Sequence, residues 1–392
     1  MTRPFSYFYH WLLDHQRQGY DPFLLASTFL LLLAGTLMIY SASGPLSDRA
    51  YGYSFLFLRN HVVHMAVGLV LMAIAMRIPF RRWEGWMPYL LGLCFVLLIA
   101  VLIPGLGFQA GGARRWLRFG IFNFQPSELL KLTLILYVAS YLARKPDQVT
   151  QFLRGLAPNM AVMGVFLALV VMQPDFGNMV LIAMTLLAMV FVGGAKPGHL
   201  LFSILGFALI SGWLVASRTY RMKRLLAYLD PWQDRLDSGF QIIQSFLAFG
   251  RGGVFGQGLG DSTQKMFFLP DAHTDFIFSI LGEELGFLGV VATMGLFALF
   301  LWRAFRVALN CQDDFGKYLA FGLGVLLTLQ VMLNMGVVMG LLPTKGLPLP
   351  FLSYGGSGLV TVLLMVGILL NIGKGVRSQP LDRKLDRGGV SR

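Results

Sequence analysis

Long apolar runs, separated by short charged or Pro- and Gly-rich segments, recur along almost the whole chain. About 20 mostly apolar residues span a bilayer as a helix. We predict ten such spans, at 22–42, 60–78, 87–104, 127–142, 157–173, 176–194, 199–217, 275–302, 318–340 and 350–372. Only 13% of the 392 residues are charged, against about 25% in a soluble domain. The sequence therefore predicts an all-α polytopic membrane protein.

The spans form one predicted membrane domain, residues 22–373, between an N-terminal tail (1–21) and a basic C-terminal tail (374–392). The start of the chain lacks a short apolar region with an Ala-x-Ala site, so we expect an uncleaved first span rather than a removable signal peptide. Cys94 and Cys311 lie in unlike settings. They predict neither a disulfide framework nor a thiolate metal site.

The basic residues are unevenly distributed between the two sets of loops. With both termini inside, eighteen of the 32 Lys and Arg residues lie in inner segments and three lie in the short outer loops. An excess of Lys and Arg in short loops marks the cytoplasmic side of a membrane protein. The sequence therefore predicts that both termini are cytoplasmic.

The two largest outer segments are basic, against this trend. Eleven Lys and Arg residues lie in them: Arg114, Arg115, Arg118, Lys131, Arg218, Arg221, Lys223, Arg224, Arg235, Arg251 and Lys265. Long loops cross the membrane largely regardless of charge, which would account for them. The alternative is an anion-binding site on the outer side. Nucleic acid is not expected as a ligand, because no soluble binding fold carries these residues.

Three short motifs place charges next to predicted helices. In "FQPSELLKL", Glu128 and Lys131 share one helix face and form either a self-contained ion pair or the polar wall of a cavity. In "GGARRWLRFG", Arg115 beside Trp116 suits a phosphate or a sugar, although an interfacial Trp is common without function. In "VMQPDFGN", Asp175 caps the following helix or faces a central cavity.

The large loop between the seventh and eighth spans, 218–274, has two parts. Its cationic, amphipathic first part is predicted to lie near the membrane interface. Its second part, "FGRGGVFGQGLGDSTQK", is rich in glycine but has no Gly-Lys-Ser/Thr ending, so it is not a P-loop. A re-entrant or mobile loop buried against helices is the prediction for this part.

The stretch "LPDAHTDFIF" brings acidic residues to the start of the predicted eighth span. Glu283 follows Asp275 by eight residues, which is about 12 Å along a helix with a rise of roughly 1.5 Å per residue. Glu284 points in another direction again, so the three acids cannot form one carboxylate cluster. Asp275 is either a helix cap or an outward-facing functional carboxylate. Glu283 and Glu284 either pair with a cation from another helix or have a functional role deep in the membrane.

Together these stretches resemble the SEDS family (shape, elongation, division and sporulation) of polytopic peptidoglycan glycosyltransferases, over nearly the whole chain. The motifs that carry the resemblance are "GGARRW", "FQPSELLKL", "QPDFGN", "GRGGVFGQGLGDSTQKMFFLPDAHTDFIF", "GEELGFLG" and "LPTKGLPLPFLSYGGSG". The stretch "PTKGLPLP" is more similar to the division members of the family than to the elongation members. The sequence departs from the family pattern at Gly111, Asp271 and Gly358, where Asn, Glu and Ser are frequent.

The resemblance implies ten spans around an outward cavity, and polymerisation of lipid II at the outer face of the cytoplasmic membrane during septal wall synthesis. Asp275 matches the essential aspartate of the family, as general base or as ligand of a divalent cation such as Mg or Mn. The residues expected to bind substrate are Arg115, Trp116, Glu128, Lys131, Lys265, His273 and Thr274. The implied partners are a class B penicillin-binding transpeptidase and other divisome proteins.

Three other functions fit parts of the sequence. A lipid II flippase would use Glu128, Lys131, Glu283 and Glu284 as a polar path through the membrane. A non-catalytic scaffold for a transpeptidase would explain the spans but not the charged outer segments. An elongation-type polymerase would differ in cellular role rather than in chemistry.

Overall fold

The computed structural model describes residues 19–110, 113–119, 122–217, 219–235, 239–266, 268–344 and 346–377. Most of the two predicted tails, 1–21 and 374–392, lies outside the described residues. The α-helices in the described part are α1 (Pro22–Tyr51), α2 (Leu56–Arg77), α3 (Phe80–Leu102), α4 (Pro126–Arg144), α5 (Pro146–Val149), α6 (Ala157–Met172), α7 (Phe176–Val192), α8 (Pro197–Ala216), α9 (Thr219–Leu229), α10 (Phe240–Gly252), α11 (Ile277–Asn310), α12 (Asp314–Val338) and α13 (Gly356–Arg377). A π-helix, Phe152–Leu156, leads into α6.

Every predicted span overlaps one of these helices, so the predicted polytopic helical fold is confirmed. Among the described residues, 8 helices are long and apolar enough to cross a membrane. The two other predicted spans are α4, which contains Glu128 and Lys131, and α7, which is only 17 residues long. The count of ten and the orientation stay predictions. The last span was predicted from residue 350, but α13 begins only at Gly356.

Helix α4 forms the centre of the bundle. Most of its residues are buried, and it packs against α3, α7 and α12. Pro126 lies in its first turn, where the missing N–H costs no hydrogen bond. This central position brings Glu128 and Lys131 into the interior of the protein. Helix α8 lies at the other extreme, because only 6% of its most apolar 18-residue stretch is buried within the protein.

A three-stranded antiparallel sheet lies between α3 and α4 and was not predicted. Its strands are β1 (Gly107–Ala110), β2 (Ala113–Phe119) and β3 (Phe122–Phe124), with β2 in the middle. Ala113 and Leu117 are buried, so one face of β2 packs on the bundle. The pairing is irregular at Arg115, because Phe108 pairs with Trp116 and the next residue, Gln109, pairs with Arg114.

Helix α11 is broken at Gly286, whose φ of 65° and ψ of −165° are not helical. Residues 253–258, here called the inserted segment, supply the backbone partners that the break removes. Gln257 N and Gly258 N donate to the carbonyls of Glu283 and Glu284 at 3.0 Å each. Phe287 N donates in turn to Gly253 O at 2.9 Å. The prediction that this glycine-rich loop packs against helices is therefore confirmed.

Candidate active site

Two cavities lie side by side at the end of the bundle that carries the sheet. The arginine cavity, of about 150 Å³, is lined by residues that include Arg115, Asp175, Arg221, Arg224, Thr344 and Gly346. The tryptophan cavity, of about 260 Å³, is lined by residues that include Asn60, His64, Trp116, Glu128, Thr274 and Tyr354. The structure thus brings four of the predicted site residues to these cavities: Arg115, Trp116, Glu128 and Thr274.

Asp275 lies at the boundary between the two cavities. A β-carbon built on Gly346, which lines the arginine cavity, would lie 3.1 Å from Asp275 Oδ2. The preceding residue, Thr274, lines the tryptophan cavity. Asn334 Nδ2 donates to Asp275 O at 2.9 Å and to Leu347 O at 2.8 Å. This bridge holds the main chain of Asp275 against the segment that contains Gly346.

The alternative that Asp275 caps a helix is wrong. Helix α11 begins at Ile277, and its cap position is Phe276. Asp275 N donates instead to Asp271 O at 3.1 Å, in a turn where Asp271 has a φ of 55°. The Asp275 carboxylate is therefore presented at the cavities by a turn that lies before the spanning helix.

Burial raises the pKa of the Asp275 carboxyl from its usual value near 3.8 to about 7. This value already includes smaller contributions from the negative charges of Asp271 and Asp175, which raise the pKa, and from Arg224 and Arg115, which lower it. A group whose pKa is close to neutral can accept a proton and release it again at physiological pH, as general acid–base catalysis requires.

Arg115 and Asp175 form one side of the arginine cavity. Arg115 Nη1 lies 3.8 Å from Asp175 Oδ1, and the guanidinium also donates to the carbonyls of Gln173 and Pro174. Asp175 is buried and accepts from Gln125 Nε2 at 3.0 Å. It also caps α7 through the Asn178 N–H, at 3.5 Å. Asp175 therefore has both predicted roles, as a cap and as a cavity carboxylate.

Glu128 and Lys131 form a buried ion pair, with Lys131 Nζ 2.8 Å from Glu128 Oε1. Glu128 also lines the tryptophan cavity, so the two alternatives predicted for this pair are both present. A β-carbon built on Gly358 would lie 3.6 Å from Glu128 Oε2, which places the start of α13 directly over this carboxylate. Lys131 supports the cavity from behind by neutralising Glu128.

The deeper acids form a separate structural network. Glu283 accepts from Thr263 N and Gln264 N at 3.2 Å each and from Ser262 Oγ. Lys265 Nζ lies 2.9 Å from Glu284 Oε1. The expected cationic partner of Glu284 is thus present, although it comes from a loop rather than from another helix. The two glutamates anchor the loop that leads to Asp275.

Three predicted substrate-binding residues, Lys131, Lys265 and His273, line neither cavity. The Lys265 ammonium is buried and donates to Ser41 Oγ and Gly260 O as well as to Glu284. The His273 ring packs 5.0 Å from the Phe57 ring and 5.8 Å from the Tyr354 ring, measured between centroids. His273 O accepts from Tyr354 N at 2.9 Å. His273 therefore positions Tyr354, which does line the tryptophan cavity.

Several cavity residues were missed by the sequence analysis: Asn60, His64, Asn123, Tyr354 and Ser357. One signal was available, because Asn60 and His64 are polar residues four positions apart within an apolar span. Arg221 and Arg224 were noted as cations but assigned to the membrane interface, whereas both line the arginine cavity. Their helix, α9, is folded back over the site, and Arg224 Nη1 donates to Thr344 O at 3.4 Å.

The divalent cation stays a prediction. The described residues contain no group of three or more His, Cys, Asp or Glu side chains arranged to hold a metal ion. Magnesium is nevertheless often bound by one or two carboxylates together with substrate phosphates. Asp275 beside the arginine cavity fits that kind of site, and a bound cation would supply positive charge to a diphosphate there.

The comparisons with known proteins agree with this architecture. A family model described as "Cell cycle protein", covering FtsW, RodA and SpoVE, matches residues 22–378. The probable peptidoglycan glycosyltransferase FtsW of Geobacter sp. (strain M18) is 46% identical over 363 residues, which are 92% of this chain and 98% of that protein. Stage V sporulation protein E of Bacillus subtilis (strain 168) is 44% identical over 356 residues, 90% of this chain and 97% of that protein.

Two solved structures have the same fold. A chain from a study of the structural coordination of polymerization and crosslinking by a peptidoglycan synthase complex gives a TM-score of 0.74 at 30% identity, covering 90% of this chain and 97% of that one. The rod shape determining protein RodA of Thermus thermophilus gives 0.69 at 29% identity, with 92% and 98% covered. The predicted family is confirmed: this chain is a polytopic membrane protein of the FtsW, RodA and SpoVE family, which is the SEDS family.

Proposed function

We propose that the protein is a peptidoglycan glycosyltransferase that polymerises lipid II into glycan strands by inverting transfer. The observation that carries the proposal is the position of Asp275, a carboxylate with a near-neutral pKa between a cationic cavity and a polar, aromatic one. Such a transfer needs one base for the attacking hydroxyl and positive charge for the leaving diphosphate. The relatives named FtsW support the same activity.

In this mechanism the 4-hydroxyl of the acceptor GlcNAc attacks the anomeric carbon of the lipid-linked donor. Asp275 accepts the hydroxyl proton as the new C–O bond forms. The bond from the anomeric carbon to the diphosphate breaks, and its electron pair leaves with undecaprenyl diphosphate. Arg115, Arg221 and Arg224 stabilise the charge that develops on that group, because all three line the cavity beside Asp275.

The cellular setting is part of the proposal. The protein would work at the outer face of the cytoplasmic membrane, with both termini inside, as one membrane domain. Its relatives named FtsW favour septal wall synthesis during cell division over elongation. A class B penicillin-binding transpeptidase is the proposed partner. Its support is that the similar solved chain belongs to a complex that couples polymerization and crosslinking.

The test is polymerisation of fluorescently labelled lipid II by the purified protein, alone and with its transpeptidase. Glycan strands of increasing length on a gel are the expected product. Absence of polymer with the partner present, together with movement of labelled lipid II between leaflets of a vesicle, would replace this function by transport. The buried charges do not favour transport, because Glu128 is paired with Lys131 and Glu284 with Lys265.

The pH dependence of polymerisation follows from the pKa of Asp275. The base must be unprotonated, so we expect kcat/KM to be low in acid and to rise through about pH 7. Asp271→Asn removes the negative charge that raises this pKa, so its profile should shift to lower pH. Asn also tolerates the positive φ of that position. Rates measured from pH 5 to 9 test this, and identical profiles for the two proteins would contradict it.

A further inference from the structure

The two cavities are separated by a single strand. Arg115 lines the arginine cavity and the next residue, Trp116, lines the tryptophan cavity. Both belong to β2, where the pairing with β1 is irregular at Arg115, and the cavity linings place the two side chains on opposite sides of the strand. The segment around Asp275 continues the partition, with Thr274 in one cavity and the Asp275 carboxylate beside Gly346 in the other. The site is therefore divided into two compartments that meet at Asp275.

The compartments differ in charge. The arginine cavity is lined by three guanidinium groups and one carboxylate, Asp175, and the Asp275 carboxylate lies at its edge. Among the described residues that line the tryptophan cavity there is neither an Arg nor a Lys, and there is one carboxylate, Glu128. The arginine cavity favours a diphosphate, because Arg binds phosphate oxygens through charge-assisted hydrogen bonds. The tryptophan cavity disfavours one, because it has a carboxylate and neither Arg nor Lys among its described lining residues.

The tryptophan cavity has the chemistry of a sugar site. Its lining combines the flat rings of Trp116 and Tyr354 with the amide side chains of Asn60, Asn123 and Gln125 and the hydroxyl of Ser357. Aromatic faces with a few placed amides and hydroxyls recognise a neutral, hydroxylated ligand.

His64 contributes a directional contact in this cavity. Its Nδ1 lies 2.6 Å from Asn60 O. A carbonyl can only accept, so Nδ1 carries a proton and donates to it. Nε2 lies next to Gly356, where a β-carbon would be only 2.5 Å away. The ring therefore lies between α2 and the start of α13, in the wall of the cavity.

We infer that the tryptophan cavity binds the acceptor sugar and that the arginine cavity binds the diphosphate of the donor. This rests on the proposed function and divides its site between the two substrates. The acceptor hydroxyl then reaches Asp275 from the Thr274 side, and the diphosphate departs on the Gly346 side. Trp116, Asn60 and His64 determine acceptor binding, and Arg221 and Arg224 determine donor binding.

The test uses two probes, each of which carries only one of the two groups. The methyl glycoside of the GlcNAc–MurNAc disaccharide has the acceptor hydroxyl but no phosphate. Farnesyl diphosphate has the diphosphate but no sugar. Binding of each to the purified full-length protein in detergent is measured by titration, for the wild type and for Trp116→Leu, Asn60→Leu and Arg221→Gln. Asn60→Leu keeps the backbone carbonyl that His64 uses.

Trp116→Leu and Asn60→Leu should each weaken disaccharide binding about tenfold and change diphosphate binding by less than about threefold. Arg221→Gln should give the reverse pattern, with diphosphate binding weakened about tenfold or more. Arg118→Gln is the matched control, because Arg118 is an exposed residue of the same strand that lines neither cavity. Its Kd values for both probes should equal those of the wild type.

The assignment is overturned if Trp116→Leu weakens farnesyl diphosphate, if Arg221→Gln weakens the disaccharide, or if the wild type does not bind the disaccharide. Polymerisation of lipid II by the same wild-type sample is measured in parallel. The expected binding pattern without any polymer would contradict the proposed function and leave the two binding sites standing. Polymer with the reversed pattern would contradict only the assignment of the two cavities.

Discussion

Asp275→Asn is expected to lower the rate of lipid II polymerisation by about a hundred- to ten-thousandfold, the usual contribution of a general base. The amide has nearly the same shape as the carboxyl group but cannot take the proton of the acceptor hydroxyl. The main chain at this position is held by Asn334 through Asp275 O, and that contact does not involve the substituted atoms. The measurement is the initial rate of glycan formation with the transpeptidase partner present.

The fold should survive this substitution, because the Asp275 side chain does not cap α11. An unchanged melting temperature and unchanged binding of the partner would establish that the loss is chemical. Asp271→Asn serves as the matched control, since it removes a carboxylate in the same turn and should keep most of the activity at its own optimal pH. Wild-type polymerisation by Asp275→Asn would contradict the role of Asp275 as base and as metal ligand alike.

Gly286→Ala is expected to cause a large loss of stability. The backbone at Gly286 lies in a region that is essentially restricted to glycine, and strain there costs about 1–3 kcal/mol. The new β-carbon would also lie 2.3 Å from Gly256 N and 2.6 Å from Val254 O. These are main-chain atoms of the inserted segment, so relief requires moving that segment away from α11.

The control for this prediction is Gly295→Ala in the same helix, where a β-carbon would have nothing within 4 Å. Alanine favours helix over glycine by about 1 kcal/mol, so this variant should be as stable as the wild type or more so. Both are compared by thermal unfolding in the same detergent. Equal melting temperatures for the two variants would show that the break in α11 does not depend on glycine.

The sequence predicted the parts of the fold that depend on composition. Apolar length alone locates α1, α2 and α12, because a span needs little more than about 20 apolar residues. The sheet was missed because β1 and β3 have only 4 and 3 residues, and their pairing is decided by contact with the bundle. The break in α11 was missed as well, because Gly286 is one of many glycines in apolar runs. The break is stabilised by main-chain hydrogen bonds from the inserted segment, and these do not show in the sequence.

The candidate site was predicted in part, and for a similar reason. Arg115, Trp116, Glu128 and Thr274 stand in recognisable motifs, and all four line a cavity. Lys265 stands in a motif of the same kind but is buried against Glu284. Charge in an outer loop does not reveal which way the side chain turns. Arg224 reaches the site only because α9 folds back over it, which is a tertiary property.

Arg115 and Trp116 lie on opposite sides of β2, in different cavities, and this has a consequence for how a polymer can be made. Each transfer leaves the lengthened glycan attached to the lipid of the former acceptor, on the tryptophan side of the strand. For that glycan to serve as the next donor, its diphosphate must cross to the arginine side before a new lipid II binds. Successive additions would therefore require a translocation step in which the diphosphate passes β2.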